Sequence, residues 1–418
     1  MRRYSIFSLA RNAMSYHETW SEAWRSPDPK PEYDAIVIGG GGHGLATAYY
    51  LAKEHGLTNI AVVERGWLGS GNVARNTTII RSNYLHEDSA FLYDMALRLW
   101  PGLSADLNFN VMFSPRGLIN LAHNAAGLTE LRRRVTALRL LGIESEMLSV
   151  EEIKRRVPAL NCSPKAPNPV LGGSWQADAG IARHDAVAWG FARAADARGV
   201  DIIQHCEVTG IRRDGGHVVG IDTTRGPIRS RKVGIVTAGH SGVVAGMAGL
   251  RLPIQSHTMQ SCVSEPIKPV FNTVVMSPAL VSLNQSDKGE LVIGMGTEEY
   301  VGYSQRGSIP HIEYVMQKFV ELYPRFARLK IMRKWGGIVD VSADASPIIG
   351  KTPVEGLYLN VGWGTGGFKA TPGSGWAFAY TMARGEPHPL VARFGLDRFT
   401  SGRVIGEHGA SGSLERYK

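Results

Sequence analysis

The chain alternates short, wholly apolar runs with longer segments in which apolar residues recur every three or four positions. That alternation reads as strands followed by helices. Ala35–Ile38 is the first apolar run. A glycine-rich stretch follows, then a helical pattern with Leu45, Ala48, Leu51 and Ala52 on one face, then a second apolar run, Ile60–Val63, that ends at Glu64. This is a βαβ unit. Helical periodicity predicts further helices over 88–102, 125–142, 150–156, 185–198 and 308–328. Strand-like runs fall at 116–122, 201–205, 217–224, 233–237, 291–295 and 357–361. Residues 250–300 are strand-rich without the strand–helix alternation. The expected fold class is therefore α/β (α+β overall): a discontinuous Rossmann-like domain over 31–110, 172–250 and 336–396, with a mixed-sheet domain over 111–171 and 251–335. An arm over 1–30 carries Tyr16, Trp20 and Trp24 and closes in the stiff PDPKP at 27–31, and 397–418 reads as a tail ending in a solvated SGSLERYK.

Composition narrows the class. Of 418 residues 44% are apolar and 20% charged, which excludes a disordered chain or a small disulfide scaffold. Glycine is in excess, 49 residues, where about 7% is usual. Cys162, Cys206 and Cys262 stand at unrelated spacings, so neither a disulfide framework nor a metal site is expected. No run of apolar residues is long enough to span a membrane, and Met1-Arg2-Arg3 is not followed by an apolar stretch suited to export. The expectation is a cytoplasmic protein with no membrane partner. The net charge of +9 is spread over short clusters such as Arg132–Arg134 and Lys154–Arg156, which read as solvated faces rather than a nucleic-acid surface.

The chemistry is concentrated in two glycine clusters. Gly39-x-Gly41-x-x-Gly44 follows a strand and opens a helix: Gly39 permits the turn, Gly41 admits a pyrophosphate, and Gly44 lets helix and strand pack. Gly42 and His43 lie within the same loop, His43 by its backbone N–H rather than its ring. Glu64, twenty residues past Gly44, is suited to a ribose diol and would repel a 2′-phosphate. Glu64-Arg65-Gly66 and the second cluster, Gly362-Trp-Gly364-Thr-Gly366-Gly367-Phe-Lys369 after the strand 357–361, favour FAD over NAD. Asn72, Asn76 and Thr77 are candidate donors to phosphate or flavin, and the Val208 backbone is a candidate adenine contact. His240 and His257 are candidates for catalysis, with a hydrogen-bonded structural role the favoured reading of each.

VIGGGGHGLATAYYLA (37–52), ERGWLGSGNVARNTTIIRSNY (64–84), TAGHSG (237–242) and GLYLNVGWGTGGFKATPGSG (356–375) together resemble the D-amino-acid-oxidase and sarcosine-oxidase flavoprotein superfamily. GIARHDAVAWGFAR (180–193) and RKWGGIVDVSADASPIIGKTP (333–353) extend the likeness to the beta subunits of heterotetrameric sarcosine oxidases. The resemblance implies an FAD-binding domain joined to a substrate domain of the D-amino-acid-oxidase type. It also implies non-covalent FAD held through residues including Gly364 and Gly367, and FMN covalently attached to His184, the single histidine of 180–193. Monomeric sarcosine oxidases attach FAD to a cysteine in their carboxyl-terminal portion, and no cysteine follows Cys262 here. The implied partners are alpha, gamma and delta subunits.

The resemblance further implies that Arg81 binds the substrate carboxylate and that Lys369, beside the flavin, binds the carboxylate or favours oxygen reduction. The implied reaction takes a hydride equivalent from the N-methyl carbon of sarcosine, giving glycine and a one-carbon unit (formaldehyde or methylene-tetrahydrofolate), with O2 reduced to H2O2 through FMN. Two rivals keep the fold or the flavin: a single-flavin FAD dehydrogenase of proline, dimethylglycine or a D-amino acid, for which His184 is incidental, and a non-catalytic flavin-binding scaffold.

Overall fold

The computed structural model describes residues 5–16, 18, 22–277 and 281–407, apart from the side chain of Met295. Trp20 and the SGSLERYK segment lie outside the described residues. Ala35–Ile38 and Ile60–Val63 are buried along their whole length at the middle of a six-stranded sheet. The strand order is Ile348–Lys351, Leu357–Val361, Val233–Ile235, Ala35–Ile38, Ile60–Val63, Asp201–Ile203. All pairs are parallel except the first, as strands covered on both faces require. Ala35, Val37, Ile60 and Val62 point to one face and pack with four helices, Gly42–His55, Glu87–Leu107, His184–Asp196 and Gly367–Arg384. Ile36, Ile38, Ala61 and Val63 point to the other and pack with a three-stranded sheet beginning at Val208 and a short helix, Ser241–Gly246. Each fully buried Ile or Val contributes about 1.5–3 kcal/mol, so both faces of these strands hold the fold together.

The second layer is an eight-stranded mixed sheet. Its order is Ile331–Ser342, Ile254–Pro266, Glu290–Val301, Ser282–Gln285, Val274–Met276, Leu118–Ala122, Gly172–Gln176, Glu146–Leu148. Gly172–Gln176 pairs with Leu118–Ala122 and Glu146–Leu148, so it goes with this sheet and not with the dinucleotide unit that the hydrophobic pattern groups it with. Ile331–Ser342 likewise runs through the expected boundary at 336 as one strand. The amphipathic pattern at 308–328 gives a helix only over Ile309–Leu322, because Pro324 disfavours helical backbone at Tyr323. A small sheet of Ile79–Ile80, Gly180–Ile181 and Ser114–Pro115 stands apart from both large sheets.

Residues 397–407 are part of the packed body rather than the start of a free tail. Arg398 donates to both carboxylate oxygens of Asp344 (2.8 and 2.9 Å), each side chain only 3% exposed, and Ile405 N–H donates to the same carboxylate at 3.0 Å. The buried Glu407 carboxylate accepts His86 N–H at 2.7 Å. At the other end, Trp24 packs on the helical core and Arg25 pairs with Asp196 (2.8 Å), while Ile6, Phe7, Leu9 and Met14 of the helix Ile6–Met14 stay exposed. Among the described residues, no helix is long and apolar enough to cross a membrane. Removing one partner of a buried pair leaves the other charge desolvated. Asp344→Ala is therefore expected to cost about 3 kcal/mol, read from urea unfolding against the unaltered chain; an unchanged midpoint would show the pair to be dispensable.

Candidate active site

The glycine loop is held by contacts that exclude side chains. Gly39 adopts φ +116°, and a Cβ there would lie 2.4 Å from the Val236 carbonyl oxygen. A Cβ on Gly44 would lie 2.0 Å from the carbonyl oxygen of Gly39. Gly41 and Gly42 instead line a deep cavity between the two large sheets, and a Cβ on Gly41 would meet nothing closer than 3.9 Å. The helix Gly42–His55 begins there without a side-chain cap and without an acidic residue in its first turn, so its N–H groups and positive dipole end are presented to the cavity. Glu64 accepts Gly40 N–H (2.8 Å) and Gly66 N–H (2.9 Å), which fixes its carboxylate at the rim of the loop.

A second helix, Gly367–Arg384, also begins at the cavity without a side-chain cap. It packs on the first through glycine: a Cβ on Gly375 would meet Ala46 Cβ at 2.5 Å. The turn before it, Gly362–Gly364, is tied down by Asp340. That buried carboxylate accepts Gly362 N–H (2.6 Å) and the Ser241 hydroxyl (3.2 Å), and the Asp340 carbonyl accepts Gly364 N–H (2.9 Å). Burial pushes the Asp340 carboxyl up to about 6. The His43 ring stacks on Trp363 (4.7 Å between centroids) with Nδ1 on the Ser374 hydroxyl, so the ring, not only the backbone, is built into the site. Burial lowers His43 to about 4, which keeps it neutral. His43 Nε2 and Asn360 Nδ2, in residues lining the cavity, are buried polar atoms without a hydrogen-bond partner among the described residues.

Arg81 and Lys369 line the same cavity and are 4% and 6% exposed. Arg81 donates to Asn83 Oδ1 at 2.6 Å and lies 4.7 Å over the Tyr84 ring. Lys369 Nζ donates to the Thr365 carbonyl at 3.0 Å. Burial first, and the Arg81 charge second, hold the Lys369 amine well below the usual lysine range.

The remaining sequence candidates divide. Asn72 lines the cavity and clamps the Ile338 backbone, accepting its N–H at 3.0 Å and donating to its carbonyl. Asn76 lines it too and accepts Thr78 N–H (2.6 Å), steadying Thr78 at φ +65°. Thr77, Gly364 and Gly367 also line it. Arg65 is exposed, away from the lining, with Nη2 3.2 Å from His240 Nε2. Val208 is buried at the start of its strand, paired with Thr223 and outside the lining. His257 gives Nδ1 to the Glu298 carbonyl at 3.0 Å. His184 is not brought to this cavity. It begins the helix His184–Asp196, with Nδ1 buried and without a hydrogen-bond partner among the described residues, and its basicity lowered by burial. Arg183, Asp185, Trp189, Asp287 and Lys288, around that helix start, line a separate surface hollow. Asp340 and the His43 ring are the residues that sequence reasoning missed; the one available signal for Asp340 was an acid inside the apolar run IVDV.

Two helix ends without side-chain caps, a loop open at Gly41, and buried polar atoms between them fit a dinucleotide, and Arg81 with Lys369 beside it fits an anionic substrate. These features are those of an enzyme that binds a dinucleotide and an anionic substrate side by side. Residues 34–381 match the family described as DAO, FAD dependent oxidoreductase, and the chain belongs to that family. It is 55% identical over 414 residues, 99% of each chain, to the sarcosine oxidase subunit beta of Rhodobacter capsulatus. It is 51% identical over 408 residues, 97% of this chain and 98% of the relative, to the sarcosine oxidase subunit beta of Rhizobium meliloti. Among solved structures, L-proline dehydrogenase from P. horikoshii matches with a TM-score of 0.84 at 25% identity, covering 90% of this chain and 100% of that one. The protein is an FAD-dependent amine oxidoreductase.

Because the folded state raises the Asp340 carboxyl from 3.8 to about 6, its contribution to stability is full below about pH 4 and is lost as pH rises toward about 6. Asp340→Asn removes that dependence. The unfolding free energy of the variant minus that of the unaltered chain is expected to rise by about 3 kcal/mol across the window. A flat difference from pH 4 to 7 would contradict the assignment.

Proposed function

We propose that this chain oxidises sarcosine to glycine and a one-carbon unit, formaldehyde or methylene-tetrahydrofolate, with O2 as the final acceptor. In this reading it is the beta subunit of a cytoplasmic heterotetramer with alpha, gamma and delta partners. It holds FAD without a covalent bond in the cavity and FMN covalently at His184. The observation that carries the reading is the pairing of Arg81 and Lys369, both buried, in the cavity where the two uncapped helix ends meet.

Bound FAD supplies the two-electron acceptor for the amine's C–H bond, and a flavin on His184 supplies the route to oxygen. The chain's own residues hold and orient. Gly41, Gly42 and the first N–H groups of the Gly42 helix cradle the pyrophosphate, and Glu64 takes the ribose diol. The Arg81 guanidinium is planar and permanently charged, suited to a two-point grip on the sarcosine carboxylate. A Lys369 amine held below its usual range is available to take a proton from the substrate ammonium. Among the described residues the Nδ1 of His184 has no hydrogen-bond partner, which supports the second attachment, since such a nitrogen keeps its lone pair for alkylation.

The test is to co-express the chain with its neighbouring genes, precipitate the complex with acid and locate the flavin. Flavin retained in the pellet on the peptide containing His184, and absent from His184→Ala, is the expected result. In the same complex Arg81→Gln should raise the KM for sarcosine by about a hundredfold, the loss of a charge-assisted pair. A colourless pellet that releases FAD alone would favour a single-flavin dehydrogenase of another secondary amine.

A further inference from the structure

Arg81 is a long side chain with many rotamers, and a carboxylate grip depends on its plane being fixed before the substrate arrives. Two neighbours in sequence fix it. Asn83, 3% exposed, accepts from Nη1 at 2.6 Å, and the face of Tyr84 lies 4.7 Å from the guanidinium carbon. Tyr84 is itself immobilised. Its ring stacks on Tyr93 at 3.6 Å between centroids with 5° between planes, and both rings are fully enclosed. The hydroxyl edge of this column abuts the turn before the helix that carries Lys369: a Cβ on Gly366 would come within 2.1 Å of the Tyr93 hydroxyl and 3.1 Å of the Tyr84 hydroxyl. Guanidinium, Tyr84 and Tyr93 thus form one stack, and the hydroxyl edges of its rings abut the turn that leads into the Lys369 helix.

We infer that Asn83 and the Tyr84–Tyr93 stack are positioning residues that orient Arg81 and so select substrates bearing a carboxylate beside the amine. The inference rests on the reading of Arg81 as the carboxylate holder. The chemistry of the seat supports it. Asn83 is a neutral acceptor, which fixes the guanidinium without cancelling its charge, and an aromatic face stabilises a cation without competing as a counter-ion. An aspartate at 83 would fix the same geometry and spend the charge internally.

The test uses the assembled, flavin-loaded complex and reads two quantities. One is the Kd of methoxyacetate, a sarcosine-shaped carboxylate without the amine, from the change in flavin absorbance; the other is the split between KM and kcat for sarcosine. Asn83→Ala is expected to weaken methoxyacetate about tenfold and to raise KM more than it lowers kcat. Asn83→Asp is expected to weaken it further, because the introduced charge answers Arg81. Arg81→Lys is measured beside them. If Arg81→Lys weakens methoxyacetate and the Asn83 variants do not, the positioning role is wrong. If Arg81→Lys also has no effect, the reading of Arg81 itself fails. Should Asn83→Ala not retain FAD, the pair Tyr84→Phe and Tyr84→Leu decides. Phe keeps the aromatic face and should hold Kd within about threefold, whereas Leu should weaken it about tenfold; equal values for the two would overturn the inference.

Discussion

The site depends on one close crossing of backbone. The turn at Gly39 runs so near the Val236 carbonyl, and the helix so near Gly39 at Gly44, that no side chain fits at either point. That contact fixes where the helix Gly42–His55 begins, and its uncapped end is the positive pole of the cavity. The second helix is held to the first by a similar approach at Gly375 and Ala46, and the turn that precedes it is tied down by Asp340. Fixed dipoles of this kind need no reorganisation when an anionic cofactor binds.

The same cavity gathers ionisable groups and leaves them poorly solvated. Lys369 is driven toward its neutral form by burial and by Arg81, His43 is kept neutral, and the Asp340 carboxyl is raised although several N–H and O–H groups donate to it. Each of these costs stability, and the three residues line the same cavity, which is the pattern expected of a reactive centre. Asp340 also ties the second sheet to the Gly362–Gly364 turn and to Ser241, so a carboxyl whose charge is disfavoured by burial is also the one that joins the two layers.

The local parts of this arrangement were legible from sequence. Gly39, Gly41, Gly44 and Glu64 lie within one βαβ unit, where spacing in the chain maps directly onto position in space. The Gly362–Lys369 cluster was legible for the same reason, and Arg81 and Lys369 were found through their flanking motifs. What stayed hidden depends on long-range pairing. Nothing near Asp340 in the chain announces Gly362 or Ser241, and the Tyr84–Tyr93 stack needs a strand end and a helix to meet. Gly172–Gln176 reads as part of the dinucleotide unit until its partners at 118–122 and 146–148 are known. Residues 397–407 look like a polar tail, because the Asp344–Arg398 pair that buries them joins positions 54 residues apart.

The central claim is that an amino acid meets flavin in the cavity between the two helix ends and the Arg81–Lys369 pair. Anaerobic mixing of the flavin-loaded complex with sarcosine, followed at the oxidised-flavin absorbance band, tests it most directly. The account predicts bleaching at a rate that saturates with sarcosine and is slowed competitively by acetate. A bound flavin that no secondary amino acid bleaches, or bleaching indifferent to acetate, would contradict it.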